Sequence, residues 1–350
     1  MEVNQLKILR ELGALGSVTA VAEALNVSPS AVSQHLATLQ RGFATPLTRK
    51  QGRTLVLTTS GQVLAEAGAS VLDAMAAANN AVRSFERAPS GIVTVSGFVS
   101  VGQAMFGALL TELRAQEDAP EVRFVDEDVA QEDFPALTAR YDLVLAHRLR
   151  HSPPWPSSGL KIVTLAHEPL DIAVPARHRL AQKSSLTPAD VVGERWVTSR
   201  GGFSPHDVTS AVAALANQPV DVVHLINDYG GVAEVVAAGD AIGVLPRYTS
   251  GRENDPRIAL RPLSGLQLSR SIDLLARPEN LRRRSVQEVV AALERVMARL
   301  MRENPVAEQR ENAPGGQSAN RANVAPSARQ ASSPGTSPCP VETKSHPRRR

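Results

Sequence analysis

The chain has 350 residues, 38 Lys and Arg against 35 Asp and Glu, 43% hydrophobic residues and one cysteine. That length suggests two or three domains, and no apolar run approaches the roughly 18 residues a membrane span needs, so a membrane protein is excluded. Cys339 alone forms no internal disulfide and no multi-thiolate metal site, and the N-terminal MEVNQLKILREL lacks a basic and apolar export signal, so the protein is expected in the cytoplasm.

Charge is uneven along the chain. Residues 304–350 carry seven Lys or Arg against three Glu, which leaves −1 on the first 303 residues. Within those, residues 1–60 sum to +3 and 61–303 to −4. A small basic module before a mildly acidic body is the asymmetry expected when one end meets nucleic acid.

Val3, Leu6, Ile8, Leu9 and Leu12 recur at helical spacing and predict an amphipathic helix over 2–13 that closes near Gly13 or Gly16. Ser17 caps a second helix over 18–25, and Asn26 and Val27 make a tight connection. Ser28 caps a third helix with Pro29 at its first position, where a missing N–H costs nothing, and with Val32, Leu36 and Leu39 as its apolar stripe. Two short helices joined so tightly form a helix-turn-helix. The exposed face of the third carries Ser30, Ser33, Gln34 and His35, short polar side chains that can reach base edges. Its N-terminus, at Ser28 and Pro29, favours a phosphate, and Thr19 at the start of the second helix joins this candidate set. Residues 46–58, PLTRKQGRTLVLT, read as two short strands around a basic turn, a wing that lays Arg49, Lys50 and Arg53 along the backbone of double-stranded DNA. The plainer alternative is a generic helical bundle with a solvated basic loop.

The run from Ser17 to Leu36, SVTAVAEALNVSPSAVSQHL, followed by Leu39, Pro46-Leu47, Arg49, Gly52-Arg53, Leu57-Thr58 and Gly61, closely resembles the winged helix of LysR-type transcriptional regulators. It differs from the family's usual residues at Ala20, Pro29-Ser30, Gln34 and Gln40. The resemblance implies binding to a partly palindromic promoter site by a homodimer or homotetramer, with RNA polymerase as a further candidate partner.

From residue 60 to 87 the chain is Ala-rich and free of Pro, with Leu64, Val71, Ala78 and Phe85 seven apart and Met75 and Val82 interleaved. Such a stripe predicts a helix that pairs with a second copy; the alternative is a helix packed on its own domain. The same family joins its two parts through a long dimerising linker helix.

Beyond Gly91 short β runs alternate with helices. Strands are expected at Ile92–Gly97, 122–125, 143–146, 161–166, 170–174, 195–198, 220–225, 242–245 and 269–276. Helices are expected at 102–116, 129–139, 205–216, 229–238 and 283–302. The alternation predicts parallel α/β sheets, two of them, with crossovers near 167–170 and 262–268. Tyr141-Asp142-Leu143-Val144-Leu145-Ala146, Glu168-Pro169-Leu170, His178-Arg179-Leu180-Ala181 and VVAAGDAIGVLP at 235–246 resemble the effector-binding domain of the same regulators, a two-lobed α/β module of periplasmic-binding-protein type. The expected organisation is a winged helix-turn-helix over 1–59, a linker helix over 60–88 and an effector domain over 89–303. Lobe I would take 91–166 and 268–303, lobe II 167–267, and the aromatic-free 304–350 would be a disordered tail.

Ligands in such sheets sit beyond the carboxyl ends of strands. That rule selects Ser100 with Val101, then His147, then Thr198, Ser199 and Arg200, and finally Asn227 with Asp228, as candidate contacts for a small polar or anionic effector. A Ser, Thr or Asp at such a position can equally cap the following helix, and Arg200 beside two glycines can point to water. His147 and His151 have helical metal spacing, but Pro153 and Pro154 follow and Arg148 and Arg150 repel a cation. No phosphate-binding glycine loop and no nucleophile elbow occurs. No catalytic residue, metal or cofactor is expected. The rival reading is a small-molecule binding protein or enzyme on the same two-lobed fold that does not bind DNA.

Overall fold

A computed structural model describes residues 1–304 apart from 53, 84–90, 151, 157, 158, 202, 253, 254 and 267. Arg53, Phe85, His151 and the tail from residue 305 therefore lie outside the described residues.

α1 (Val3–Leu15) opens on a capping box between Glu2 and Gln5 and stops at Gly16, whose φ of 65° suits glycine. α2 (Val18–Ala24) starts on Ser17 and ends in a turn where Asn26 takes φ 53°, a left-handed position that asparagine tolerates. α3 (Pro29–Gln40) starts on Ser28, whose Oγ accepts from the Ala31 N–H at 3.2 Å. Leu9 and Leu12 of α1, Val21 of α2 and Val32 and Leu39 of α3 close one core. Each such side chain contributes about 1.5–3 kcal/mol by leaving water. β1 (Thr48–Gln51) pairs antiparallel with β2 (Thr54–Leu57), with Gln51 opposite Thr54.

α4 (Thr59–Arg83) follows at once. Its first turn presses on Leu47 so closely that a Cβ on Gly61 would stand 1.9 Å from the Leu47 carbonyl oxygen. The Thr58 hydroxyl donates to the Pro46 carbonyl at 2.6 Å and accepts from the Gly61 N–H at 3.1 Å. Gln40 ties α3 to the same loop: it donates to the Phe43 and Thr45 carbonyls and accepts from the Leu47 N–H. Along α4, Val63, Val71, Met75 and Val82 stand exposed. Leu64, expected on this stripe, instead packs half-buried on the winged core, because α1 lies across that side of the helix.

The body runs β3 (Ile92–Gly97), α5 (Val99–Arg114), β4 (Glu121–Asp126), a 3-10 turn at Gln131–Asp133, α6 (Phe134–Leu137), β5 (Leu143–Leu149) and β6 (Lys161–Pro175). After a 3-10 turn at Arg179–Gln182 come α7 (Pro188–Val191), β7 (Arg195–Thr198), α8 (Ser204–Ala216), β8 (Asp221–Leu225), α9 (Tyr229–Ala238) and β9 (Gly243–Pro246). β10 (Ile258–Arg261), β11 (Ser269–Ala276), α10 (Pro278–Leu281) and α11 (Arg284–Glu303) complete it.

The main sheet is mixed, which corrects the all-parallel expectation. Its order is β4-β3-β5-β11-β6-β10, with β9 also on β6. β3 is parallel to β4 and β5, whereas β11 runs antiparallel to β5 and β6. The two strands expected at 161–166 and 170–174 are one strand, β6, which pairs with β11 up to Pro169 and with β9 and β10 beyond it. Pro169 does not break it, because its backbone sits where β6 exchanges one partner for another. The helix expected over 129–139 is a 3-10 turn and four residues of α6, whose Phe134 and Leu137 are buried. α5 begins three residues before the expected start, which puts Ser100 and Val101 in its first turn. Lobe I closes around Val95, Met105, Leu145 and Leu293, and lobe II around Trp196, Ile172 and Val212 on one side and Val197, Val232 and Val236 on the other. β6 and β11 are the backbone connections shared by both lobes.

Candidate functional site

On the winged module, Ser30, Ser33 and Gln34 of α3 are exposed, and His35 is half-buried. No hydrogen bond to another described residue occupies Ser33 or Gln34, whereas Ser30 meets the Ser28 hydroxyl at 2.9 Å. Ser28 is engaged as the helix cap, so its hydroxyl holds α3 in place. Thr19 and Pro29 lie exposed on the same module. On the wing, Arg49 and Lys50 are exposed and form no ion pair with any described residue. Polar groups without internal partners, beside cations without counter-charges, are chemically suited to base edges and phosphates.

The second region, between the lobes, has the opposite character. Glu168 on β6 and Arg270 on β11 are cross-strand partners in the sheet, and both are buried. Arg270 Nε donates to Glu168 Oε2 at 2.8 Å, and its Nη2 donates to Ser100 Oγ at 3.0 Å and Thr249 Oγ1 at 2.8 Å. The Glu168 carboxylate also accepts from the N–H groups of Tyr248 and Thr249, both at 2.7 Å. The guanidinium lies 4.9 Å from the Phe98 ring centre and 5.5 Å from that of Tyr229. One arginine thus links lobe I, through Ser100 and Phe98, to lobe II, through Thr249 and Tyr229. The cleft narrows around it to a cavity of about 30 Å³.

Ser100, His147 and Asn227 line that cavity, as the strand-end rule expects. The others do not. Val101 is fully buried in the lobe I core beside Met105, because the helix periodicity turns it inward. Ser199 accepts from the His206 N–H at 3.1 Å and so caps α8, and Asp228 caps α9 through the Gly231 N–H at 2.8 Å. The Arg200 N–H donates to Asn227 Oδ1 while its side chain is exposed. Thr198 is buried at the end of β7 but off the cavity wall. Among the described residues, His147 Nδ1, Asn227 Nδ2 and the Thr198 hydroxyl have no hydrogen-bond partner. His147 packs edge-on against Phe98 and Phe134, and burial, reinforced by Arg270, holds its imidazole well below the ordinary histidine value. Burial also raises the Asp128 carboxyl at the cavity wall, against the pull of Arg200.

Sequence reading missed Arg270, Glu168, Thr249, Tyr229 and Asp128. For Arg270 a signal existed: with Asp273 it falls inside the strand expected at 269–276, and charges inside a buried strand must find partners, whereas Glu168 fell in the expected crossover near 167–170.

A third polar cluster joins the winged module to lobe I. Arg10 and Glu11 of α1 bond each other at 2.8 Å, Arg10 reaches Glu279 at 2.7 Å, and Arg277 donates to Glu11 at 2.8 Å. Arg277 directly follows β11 and Glu279 lies in α10. Outside this buried core Arg282 pairs with Asp73 of α4 at 3.0 Å.

Residues 3–62 match the family model of the bacterial regulatory helix-turn-helix protein, lysR family, and residues 86–298 match the LysR substrate binding domain. The uncharacterized HTH-type transcriptional regulator YybE of Bacillus subtilis is 23% identical over 251 residues, 70% of this chain and 82% of that one. The HTH-type transcriptional regulator CysL of the same organism is 22% identical over 275 residues, 77% and 89% of the two chains. A full-length OxyR variant from Pseudomonas aeruginosa shares the fold, with a TM-score of 0.57 at 17% identity over 85% of this chain and 97% of that chain. No described helix is long and apolar enough to cross a membrane. Both halves of the molecule are accounted for by one family, and the chain belongs to the LysR-type transcriptional regulators.

Proposed function

We propose that α3 and the wing read a partly palindromic promoter site in an oligomer paired through α4, and that a small polar molecule in the interlobe cleft resets how the winged modules are held. In this reading residues 1–59 bind DNA, 60–88 link and pair, and 89–303 bind the effector. Val71, Met75 and Val82 are the apolar face offered to a second copy, with dimer or tetramer as the assembled form and RNA polymerase as a further candidate partner.

The observation that carries the regulatory part is the placement of charges on β11. Arg270 at its start closes the cleft, and Arg277, immediately after its end, grips Glu11 on α1 of the winged module. A ligand that offers Arg270 or Glu168 another partner, and engages Asn227 Nδ2 or His147 Nδ1, favours a different setting of the two lobes. The effect on DNA is bounded by the ligand's preference between settings.

The test combines melting of the full chain against a metabolite panel with DNA anisotropy in the presence of each hit. The hit should change promoter affinity in the parent, while in Arg277→Met it should still raise the melting temperature but leave DNA affinity unchanged. Equal modulation of DNA binding in both proteins contradicts the β11 route. Val71→Asp should yield monomers by sedimentation, and an unchanged profile contradicts pairing through α4.

A further inference from the structure

We propose a second small-molecule site, separate from the interlobe cleft, in the cavity between the winged module and lobe I, which takes an aromatic amine carrying a hydrogen-bond acceptor on its ring. The cavity measures about 740 Å³, within the range that holds a drug-sized ligand. Leu12 of α1 and Leu57 of β2 form one wall, and Pro135, Pro154, Trp155 and Leu160 of lobe I form the other. Leu12, Leu57, the prolines and the buried Trp155 indole give part of the cavity an apolar wall, which favours a flat ring.

Two polar features set the rest of the ligand. Arg277 is among the lining residues, 5% exposed, with its Nη2 committed to Glu11 and its Nε buried without a hydrogen-bond partner among the described residues. A buried N–H without a partner is costly, and a ring hydroxyl or carbonyl oxygen on the ligand would satisfy it once the guanidinium turns toward the cavity. Burial holds this guanidinium below the usual arginine value even beside Glu11. Glu66, Glu132 and Asp133 also line the cavity, are exposed, and form no ion pair with any described residue. Arg10 and Arg277 do not offset them, since both are matched by Glu11 and Glu279. The lining therefore carries a net negative charge that selects a cation and rejects an acid.

Pairing through α4 leaves this cavity open. At about 100° per residue, Gln62, Ala65, Glu66 and Ala69 on the cavity side centre roughly opposite Val63, Val71, Met75 and Val82. A molecule bound there touches α1, β2 and α4 on one side and lobe I on the other, so it fastens the DNA-reading module to the body. The site stands on its own residues and does not depend on what the interlobe cleft binds.

Three probes that keep the hydroxylated ring and vary the charge are 5-hydroxytryptamine, 5-hydroxyindole and 5-hydroxyindole-3-acetate, titrated into the full chain by calorimetry with saturation-transfer NMR. The amine should bind about tenfold tighter than the acetate, the combined effect of three exposed charges. That preference should vanish in the Glu66→Gln, Glu132→Gln, Asp133→Asn triple variant, whose three exposed positions leave folding intact by circular dichroism. Ala136→Trp, which fills the slot, should abolish binding of the amine, and Asn227→Ala in the interlobe cleft should leave it as it was. Equal affinity for amine and acetate, loss of binding in Asn227→Ala, or no transfer to the amine at about 5 mM overturns the proposal.

Discussion

The winged face and the interlobe cleft hold polar side chains in opposite states. Ser33, Gln34, Arg49 and Lys50 face solvent with no partner among the described residues, whereas Arg270 and Glu168 are buried and bonded to each other and to Ser100, Thr249 and two backbone N–H groups. An open polar face costs the fold little and stays available for a large partner. A hydrogen-bonded buried pair resists change until other partners replace its bonds, which suits it to the switching role proposed above. In the proposed function the same residue chemistry serves recognition in one place and gating in the other, and burial decides which.

The contrast breaks most sharply on removal of one buried partner. Glu168→Gln should cost about 3–5 kcal/mol in urea unfolding, because it strands the Arg270 charge, whereas Ser33→Ala should stay within about 0.5 kcal/mol. Similar costs at both sites would mean that the cleft pair is not desolvated. Gly61→Ala probes the frame behind the open face. Its Cβ meets the Leu47 carbonyl oxygen at 1.9 Å, so a loss of about 3 kcal/mol is expected in the winged module, and a neutral result would show that α4 can retreat from the wing.

A smaller effect is set by pH. His147 is neutral in the fold with its value depressed by burial, so below about pH 6.5 the unfolded chain takes up a proton that the native chain refuses. This contribution to stability is complete above that value and falls by about 1.4 kcal/mol per pH unit as acid is added. His147→Phe should remove that slope, and an unchanged acid profile would place the titration elsewhere.

The winged module is legible in sequence because its signals are local. Ser17 and Ser28 cap, Pro29 starts a helix, Asn26 turns, and each acts within four residues. In the body, element positions were readable but partners were not. One strand spans 161–175 because β6 passes between two sets of partners, a fact about residues some hundred positions away. The strand-end rule reached Ser100, His147 and Asn227 but also chose Ser199 and Asp228, because a cap and a ligand contact share the same residue types. Arg270 escaped it because it enters the cleft from a hinge strand, at the start of that strand rather than its carboxyl end.

In the proposed function α3 reads bases while the wing grips phosphate. The direct measurement is anisotropy on DNA from upstream of the chain's own gene and on a shuffled sequence, across a range of salt. Gln34→Ala should shrink the difference between the two DNAs by about 1–3 kcal/mol, and Arg49→Ala with Lys50→Ala should weaken both alike and lower the salt slope by about two. Affinity and selectivity that match the parent in both the single and the double variant would contradict this reading.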